Sequence, residues 1–289
     1  MRASDETHLQ TLCRPVTRRG ALVMLGGLGL AVAGCSGGDD SSSATATAKG
    51  AGSSTTSGTT GTTGATTTTS GATAALTSCS VIPEETGGPF PADGSNGVDV
   101  LSENGIVRKD IRASFDGASG AAEGVPYTIQ FTVVDVANNC KALTGAAVYV
   151  WHCDRDGNYS MYSQAATDQN YLRGVQEVDA SGLVSFTSIF PACYSGRWPH
   201  VHFEVYPSVA AATSGGTKLA TSQIALPQDV CTAVYATTGY EQSVRNLSQV
   251  SLASDMVFSD GVSLETPSMT GSAGSGYVSS LVVGVNAQV

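Results

Sequence analysis

F-P-A-C-Y-S-G-R-W-P-H-V-H-F-E-V-Y-P, residues 190–207, contains two histidines two positions apart in a run that alternates polar and apolar residues. Successive side chains of a β-strand point to opposite faces, so this alternation predicts a strand with two unlike faces. The polar face carries His200, His202, Glu204 and Tyr206. The apolar face, which we expect in the core, carries Val201, Phe203 and Val205. Two imidazoles side by side can occupy neighbouring positions on one metal ion, so the polar face predicts a metal site.

Two tyrosines and an arginine accompany this strand. Tyr194 and Arg197 precede His200 by six and three residues, and Tyr159 lies in a turn-rich loop further upstream. A phenol with a reference pKa of about 10 seldom ionises alone, but a bound trivalent cation can displace its proton. The resulting phenolate is a hard anionic donor, and two of them favour Fe(III) over Fe(II) and over soft metals.

The N-terminus carries the features of a bacterial export signal. Thr17-Arg18-Arg19-Gly20-Ala21-Leu22 is a twin-arginine pattern, and the apolar run over residues 21–33 is too short to span a bilayer as a helix. Val32-Ala33-Gly34-Cys35 resembles a lipobox. We therefore predict a twin-arginine lipoprotein signal peptide over residues 1–34, cleavage before Cys35, and a lipid on that cysteine that anchors the exported protein at the cell surface.

Residues 35–78 begin with this cysteine and consist almost wholly of Ser, Thr, Gly and Ala. Such a segment cannot bury enough apolar surface to offset the entropy of ordering, so it predicts a disordered tether. The folded domain is expected over residues 79–289. The formal net charge of −10 argues against nucleic acid and against an electrostatic membrane patch as partners, which leaves the lipid on Cys35 as the expected membrane contact.

Outside the cytoplasm, cysteines are expected to form disulfides. Cleavage removes Cys13 and lipidation occupies Cys35, so five of the seven cysteines remain. Cys153 and Cys193 both lie near the candidate site in the sequence, and we expect them to pair. One further bridge is open to the other three, Cys79, Cys140 and Cys231.

Short β-rich segments separated by turns dominate the domain. Besides the histidine strand, strands are predicted over residues 127–136, 145–153, 175–178, 183–186, 218–226 and 277–285. Asp179-Ala180-Ser181-Gly182 predicts a hairpin between the strands on either side of it. Residues 227–237 have a helical pattern. Many strands with almost no helix predict an all-β sandwich or barrel.

Three segments together resemble a known enzyme family. P-A-C-Y-S-G-R-W-P-H-V-H-F over residues 191–203, and W-H-C-D-R-D-G-N-Y-S over residues 151–160, resemble the signature of intradiol ring-cleavage dioxygenases such as catechol and protocatechuate dioxygenases. I-P-E-E-T-G-G-P-F over residues 82–90 is similar to the opening motif of the short exported bacterial lipoprotein members of this family. The resemblance spans about residues 79–226.

The resemblance implies a two-sheet β-sandwich with a few short helices and a mononuclear non-haem Fe(III). The metal ligands implied by position are Tyr159, Tyr194, His200 and His202. In relatives the first tyrosine, here Tyr159, can take a proton from the substrate. The family arginine beside the substrate, here Arg197, stabilises developing negative charge, and Gln223 matches a glutamine that lines the site.

The implied reaction is cleavage of a catechol-type aromatic ring by O2 between its two hydroxyl-bearing carbons, which gives a muconate-type diacid. Fe(III) is the cofactor, and the small-molecule catechol and O2 are the partners. The larger catechol dioxygenases have an N-terminal helical segment that supports dimerisation. Because this sequence lacks that segment, a monomer is compatible with it, and the oligomeric state stays open.

Two other interpretations stay open on the sequence. His152 directly follows Trp151, and together with His200 and His202 it could form a three-histidine zinc site. Alternatively, the chain could be a non-catalytic surface lipoprotein that binds a ligand or polymer through the same β-sandwich.

Overall fold

The structure, a computed structural model, describes Leu76 and residues 78–287. The predicted export signal, the lipidated cysteine and almost all of the predicted tether lie outside the described residues. Within this described part, no helix has both the length and the apolar character that crossing a membrane requires.

Nine strands form the framework of the described domain: β1 (Pro126–Asp135), β2 (Lys141–Ala142), β3 (Ala147–Trp151), β4 (Arg173–Glu177), β5 (Leu183–Ile189), β6 (His200–Tyr206), β7 (Ala220–Ala225), β8 (Ser268–Ser272) and β9 (Gly276–Val285). Three short α-helices accompany them: α1 (Val209–Thr213), α2 (Gln228–Tyr235) and α3 (Glu241–Leu247). Short 3-10 turns lie at Val136–Asn138, Leu252–Ser254 and Phe258–Asp260.

The strands divide into two sheets. In the five-stranded sheet, β1 pairs with β9 in parallel and with β2 and β5 antiparallel, and β8 closes the far edge. The four-stranded sheet has the order β4-β3-β6-β7 and is antiparallel throughout. Two sheets with few short helices confirm the predicted all-β sandwich.

The core lies between the two sheets and contains the predicted apolar face of β6. Val201, Phe203 and Val205 are fully buried there, and the Phe203 ring lies 4.9 Å from the ring of Phe131 in β1. Burying side chains of this size is the main favourable contribution to folding, at roughly 1.5–3 kcal/mol each.

The opposite face of the four-stranded sheet is also covered. A second apolar cluster joins Tyr149 and Trp151 of β3 to the loop that contains Val100 and Ile106. Cover on both faces explains why every residue of β3 and of β6 is buried. The polar face of β6 therefore lies in a covered site, and its histidines do not face open solvent.

The predicted hairpin at residues 179–182 is wrong. The chain does reverse there, with Gly182 N–H donating to the Asp179 carbonyl at 2.9 Å. However, β4 pairs with β3 in one sheet, whereas β5 pairs with β1 in the other. A turn sequence determines only the local reversal, and the burial of both apolar faces determines which edge each strand joins.

The predicted Cys153–Cys193 disulfide is also wrong. The described residues contain one disulfide, Cys79–Cys140, with a sequence separation of 61, while Cys153, Cys193 and Cys231 are buried free thiols. The Cys153 thiol is directed to the Ala192 carbonyl and the Cys193 thiol to that of Arg197. Closeness to the site in sequence did not place the two sulfurs within bonding distance.

Glu265, in the segment between α3 and β8, is a buried carboxyl group without a hydrogen-bond partner among the described residues. Its backbone is well held, because its carbonyl accepts from Ala225 N–H at 3.0 Å. Burial first, and then the nearby carboxylates of Glu85 and Asp260, raise the pKa of Glu265 to about 8. The group is therefore mostly protonated at neutral pH.

We predict that removing the disulfide with the double substitution Cys79→Ser, Cys140→Ser lowers the free energy of unfolding by about 2–4 kcal/mol, because the unfolded chain loses a long cross-linked loop. Urea unfolding without reductant measures the change. Reductant should bring the wild-type protein down to the level of the variant and leave the variant unaffected. Equal stability of the two proteins would contradict the prediction.

We predict that Glu265 makes the domain less stable as pH rises from about 5 to about 8. The unfolded state releases this proton near 4.5 and the folded state only near 8, so stability falls between these values and then levels off. Across this range, wild type should lose on the order of 1–3 kcal/mol relative to Glu265→Gln in urea unfolding. Glu177→Gln, at an exposed position, controls for the loss of one negative charge. A pH-independent difference would contradict the prediction.

Candidate metal centre

The two histidines of β6 lie side by side on its outer face. His202 is paired in register with Trp151 of β3 and Gln223 of β7, so it lies in the middle of the sheet. The Nε2 atoms of His200 and His202 are 3.1 Å apart, and the two residues are 2 % and 3 % exposed. The pleat therefore presents two ring nitrogens to the same small volume.

Two loops bring the predicted tyrosines to the same place. Tyr159 lies in the loop between β3 and β4, and its Oη is 3.3 Å from His200 Nε2. Tyr194 lies in the loop between β5 and β6, and its Oη is 3.2 Å from that nitrogen. All four residues predicted as metal ligands thus place one donor atom at a common centre.

A backbone carbonyl orients His200. Its Nδ1 lies 2.5 Å from the Trp198 carbonyl oxygen, which can only accept, so Nδ1 must carry the ring proton. Nε2 then presents its lone pair to His202 Nε2 and to the two phenol oxygens. This is the usual arrangement of a metal-binding histidine, whose second nitrogen donates to a carbonyl or carboxylate.

His202 is held in a different way. Its Nδ1 is buried without a hydrogen-bond partner among the described residues. Its ring stacks on Trp151, with centroids 4.8 Å apart and planes 5° from parallel. Gly88 also lies close to the ring, at a φ of +68°, and a Cβ atom there would lie 3.3 Å from His202 Cε1. Packing therefore fixes the plane of this imidazole.

Burial sets the protonation of the four groups. It lowers the pKa of His200 to about 3, with the charge of Arg197 as the next cause, and holds that of His202 well below its usual value. Burial also raises the pKa of Tyr194 to about 12 and that of Tyr159 well above its usual value. The imidazoles are thus neutral, as metal binding requires, and the phenols lose their protons only to a strong cation.

The donor set fits a single first-row metal ion. Such ions bind nitrogen and oxygen at about 2.0–2.2 Å, so neighbouring ligand atoms lie roughly 2.9–3.5 Å apart. The distances from His200 Nε2 to its three neighbours are 3.1, 3.2 and 3.3 Å. One lone pair cannot serve three partners, whereas a cation at the centre would accept all four donors.

His152 does not join this centre, and the three-histidine zinc alternative is wrong. Its Nδ1 lies 2.7 Å from the Cys153 carbonyl oxygen and its Nε2 lies 2.7 Å from Ser188 Oγ. Both ring nitrogens are therefore already bonded elsewhere. Among the described residues, His, Cys, Asp and Glu form no group of three that could hold a metal.

Arg197 is held beside the centre by two side chains. Its Nε donates to Asp255 Oδ2 at 2.9 Å, and its Nη2 donates to Gln223 Oε1 at 2.8 Å. The Phe258 ring lies against both Arg197 and His200, at 5.7 Å from the guanidinium carbon and 6.4 Å from the imidazole centroid. The structure thus brings two of the three predicted catalytic residues, Arg197 and Gln223, into contact.

Asp255 is a residue that the sequence analysis did not find. It is fully buried and also accepts from the backbone N–H groups of Trp198, Val257 and Phe258. Burial opposes its ionisation, but these hydrogen bonds and Arg197 outweigh it and hold the pKa of Asp255 below its usual value. Asp255 follows Arg197 by 58 residues, and no local sequence pattern links the two.

The segment over residues 82–90 covers one side of the centre. Gly88 abuts His202, as described above, and the Phe90 ring lies 4.9 Å from the ring of Tyr159. The Thr86 carbonyl accepts from Gln223 Nε2 at 2.8 Å. The motif that resembled the opening of the exported dioxygenases therefore forms a wall of the site.

Comparisons with known proteins agree with this geometry. The family model described as dioxygenase matches residues 101–230, a range that includes all four predicted ligands. Chlorocatechol 1,2-dioxygenase of Rhodococcus opacus is 46% identical over 52 residues, which cover 18% of this chain and 20% of that protein. The chain thus matches about a fifth of the length of this curated relative.

Solved structures share the fold. An intradiol ring-cleavage dioxygenase from Tetranychus urticae is 23% identical, with a TM-score of 0.57 over 73% of this chain and 96% of that chain. A second solved dioxygenase is 24% identical, with the same TM-score and coverage. The matched dioxygenase family model and the predicted motifs agree, so this part of the chain is similar to the intradiol ring-cleavage dioxygenases, and the solved structures share its β-sandwich.

Proposed function

We propose that this protein is a non-haem Fe(III)-dependent dioxygenase that cleaves a catechol-type ring with O2 between its two hydroxyl-bearing carbons. The product is a muconate-type diacid. The observation that carries the proposal is the convergence of two phenol oxygens and the Nε2 atom of His202 at 3.1–3.3 Å from His200 Nε2. The match of residues 101–230 to the dioxygenase family model supports the same reaction class.

Tyr159, Tyr194, His200 and His202 would hold the iron. Two hard phenolate oxygens and two neutral imidazoles suit a ferric ion better than a soft metal. A bound Fe(III) supplies a Lewis-acidic centre that adjacent catechol oxygens can chelate, with activation of the ring toward O2. Burial of Tyr159, His200 and His202, with Tyr194 half-buried, limits the access of competing water and strengthens the electrostatic interactions in the site.

Tyr159 is the residue that can hold a substrate proton. Its Oη lies among the donor atoms, and burial raises the pKa of this phenol well above its usual value. Once it has lost its proton to the cation, the Tyr159 phenolate oxygen can accept the hydroxyl proton of an arriving catechol. Its near-complete burial keeps that proton from exchanging with bulk water.

Arg197 supplies fixed positive charge beside the reacting ring. Asp255 and Gln223 engage its Nε and Nη2, and within the described part of the chain no hydrogen bond reaches Nη1. Nη1 is therefore the nitrogen left for the substrate. A preorganised guanidinium lowers the barrier wherever negative charge develops on the bound catechol.

No second cofactor is needed to balance this reaction. Both atoms of one O2 enter the product, the bond between the two hydroxyl-bearing carbons breaks, and no external reductant or oxidant is consumed. The partners that we propose are therefore a small catechol and O2.

We also propose that the enzyme works outside the cytoplasm and is attached to the membrane by a lipid on Cys35. The twin-arginine pattern and the lipobox support this location. The Cys79–Cys140 disulfide supports it independently, because such bridges persist in oxidising compartments. A catechol of extracellular origin would suit an enzyme at this address.

The metal proposal is tested by visible spectroscopy. The domain purified with iron should show a broad tyrosinate-to-iron charge-transfer band that shifts when catechol is added. Tyr194→Phe should abolish most of the band, because one of the two phenolates is lost. Bound iron is quantified in parallel by metal analysis.

Tyr162→Phe is a matched control for this experiment. Tyr162 is also near the site, but its hydroxyl bonds to Asn96 and to the Ala92 N–H and lies outside the donor set. This variant should keep the band unchanged. A colourless wild-type protein that binds zinc in place of iron would refute the metal proposal.

Activity is tested by oxygen uptake with catechol, protocatechuate and hydroxyquinol. At least one should be consumed with stoichiometric O2. Arg197→Met should then lower kcat/KM by about 10²–10³-fold, because a preorganised charge is lost. Arg197→Lys should fall in between, since an ammonium cannot reach Asp255 and Gln223 together.

Iron content separates a catalytic role of Arg197 from a structural one, and it should be equal in wild type and in both variants. Arg112→Met, which removes an exposed arginine paired with Asp110, should leave kcat/KM unchanged. Binding of a catechol without O2 uptake by any of the three substrates would favour the non-catalytic ligand-binding alternative.

A further inference from the structure

Arg173, the first residue of β4, is a buried charge without an acidic partner. It is 1 % exposed, and none of the ion pairs among the described residues involves it. Removing a guanidinium from water is unfavourable unless its hydrogen-bonding capacity is met inside the protein. A side chain of this kind in the interior therefore points to a specific task.

All five N–H groups of Arg173 have acceptors. Nε donates to Ser160 Oγ at 3.0 Å, and Nη2 donates to the carbonyls of Ser160 and Phe90 at 3.0 and 2.9 Å. Nη1 donates to the Pro91 carbonyl and to Tyr149 Oη, both at 3.0 Å. Every N–H group of the planar guanidinium thus donates a hydrogen bond, and all of the acceptors are uncharged oxygens.

Four of these five acceptors belong to the two segments that border the Tyr159 phenol, and the fifth, Tyr149 Oη, is in β3. Ser160 directly follows Tyr159 in the chain, so bonds to its carbonyl and hydroxyl fix the backbone from which the phenol projects. The Phe90 ring packs 4.9 Å from the Tyr159 ring, and Gly88 in the same segment abuts His202. One guanidinium therefore ties a candidate ligand to the wall that packs against it.

We propose that Arg173 is a positioning residue that clamps the segment over residues 88–91 to the segment over residues 159–160, and so sets the place of the Tyr159 oxygen at the metal centre. The effect of Arg173 on a bound metal rests on the proposed function, whereas the clamp between the two segments does not. The clamp requires Arg, because a lysine has three donors on one nitrogen and cannot span acceptors on both segments.

Arg108 provides a matched control. It too lies in the interior, half-buried, and donates to the carbonyls of Arg173, Ile111, Ala113 and Asn170. None of these acceptors lies in the two clamped segments. Loss of Arg108 should therefore destabilise the fold without releasing the Tyr159 backbone.

The clamp is tested first in the metal-free protein by hydrogen–deuterium exchange with mass spectrometry. Arg173→Gln and Arg173→Lys should raise exchange in peptides covering both residues 88–92 and residues 159–163. Arg108→Gln should raise it around residues 111–115 instead. Unchanged exchange in either clamped segment of the Arg173 variants would overturn the proposal.

Ser160→Ala keeps the test decisive if the Arg173 variants do not fold. This change removes the acceptor of Arg173 Nε, together with the hydrogen bond that Ser160 Oγ donates to the Tyr171 carbonyl, and should raise exchange in the peptide over residues 159–163 by a smaller amount. Wild-type exchange in that peptide would count against the clamp.

The effect on the metal centre is read from iron loss to a chelator and from the visible band, both well below each variant's Tm. Substitution of a residue that orients a metal ligand usually alters metal affinity by about 10–100-fold. Arg173→Gln should therefore lose iron about 10–100-fold faster than wild type and show a shifted band. Arg108→Gln should match wild type in both measurements. Wild-type iron retention in Arg173→Gln would overturn the positioning role. A wild-type protein that binds no iron, but whose Arg173 variants show the exchange change, would refute the proposed function and leave the clamp standing.

Discussion

The two-residue repeat of β6, in a strand covered on both faces, is the constraint on which the site depends. The same pleat that sends Val201, Phe203 and Val205 into the core places His200 and His202 on the opposite side with their Nε2 atoms 3.1 Å apart. Because β3 and β7 flank β6, a one-residue slip in register would move the apolar side chains out of the core and the histidines into it. The stability of the sandwich therefore guarantees the spacing of the nitrogens.

Three different devices orient the groups around this strand. A backbone carbonyl sets the tautomer of His200, whereas stacking on Trp151 sets the plane of His202. Asp255 and Gln223 hold Arg197 through two of its nitrogens. Each device limits a side-chain rotation before any ligand arrives, which is the physical meaning of a preorganised site.

The two arginines near the metal centre differ in whether a carboxylate neutralises their charge. Arg197 has a buried carboxylate partner, but Arg173, which is more completely buried, donates only to neutral oxygens. A chain with a formal net charge of −10 thus keeps an uncompensated positive charge close to the segment of Tyr159. An interior of this sign suits a centre where phenolates and an anionic substrate would gather.

Local patterns in the sequence determined the all-β class, most of the strands and the two faces of β6 with its histidines, because alternation depends only on neighbouring residues. The resemblance of two segments to a known family added Tyr159 and Tyr194 as ligands. The tertiary structure alone decided the remaining features. These are the partners of β4 and β5, the Cys79–Cys140 bridge, the separation of His152 from the centre, and the bonds made by Asp255 and Arg173. Each of these depends on which distant segments meet when the sheets pack. Burial of the apolar sheet faces determines which distant segments come into contact, and no short stretch of the sequence contains that information.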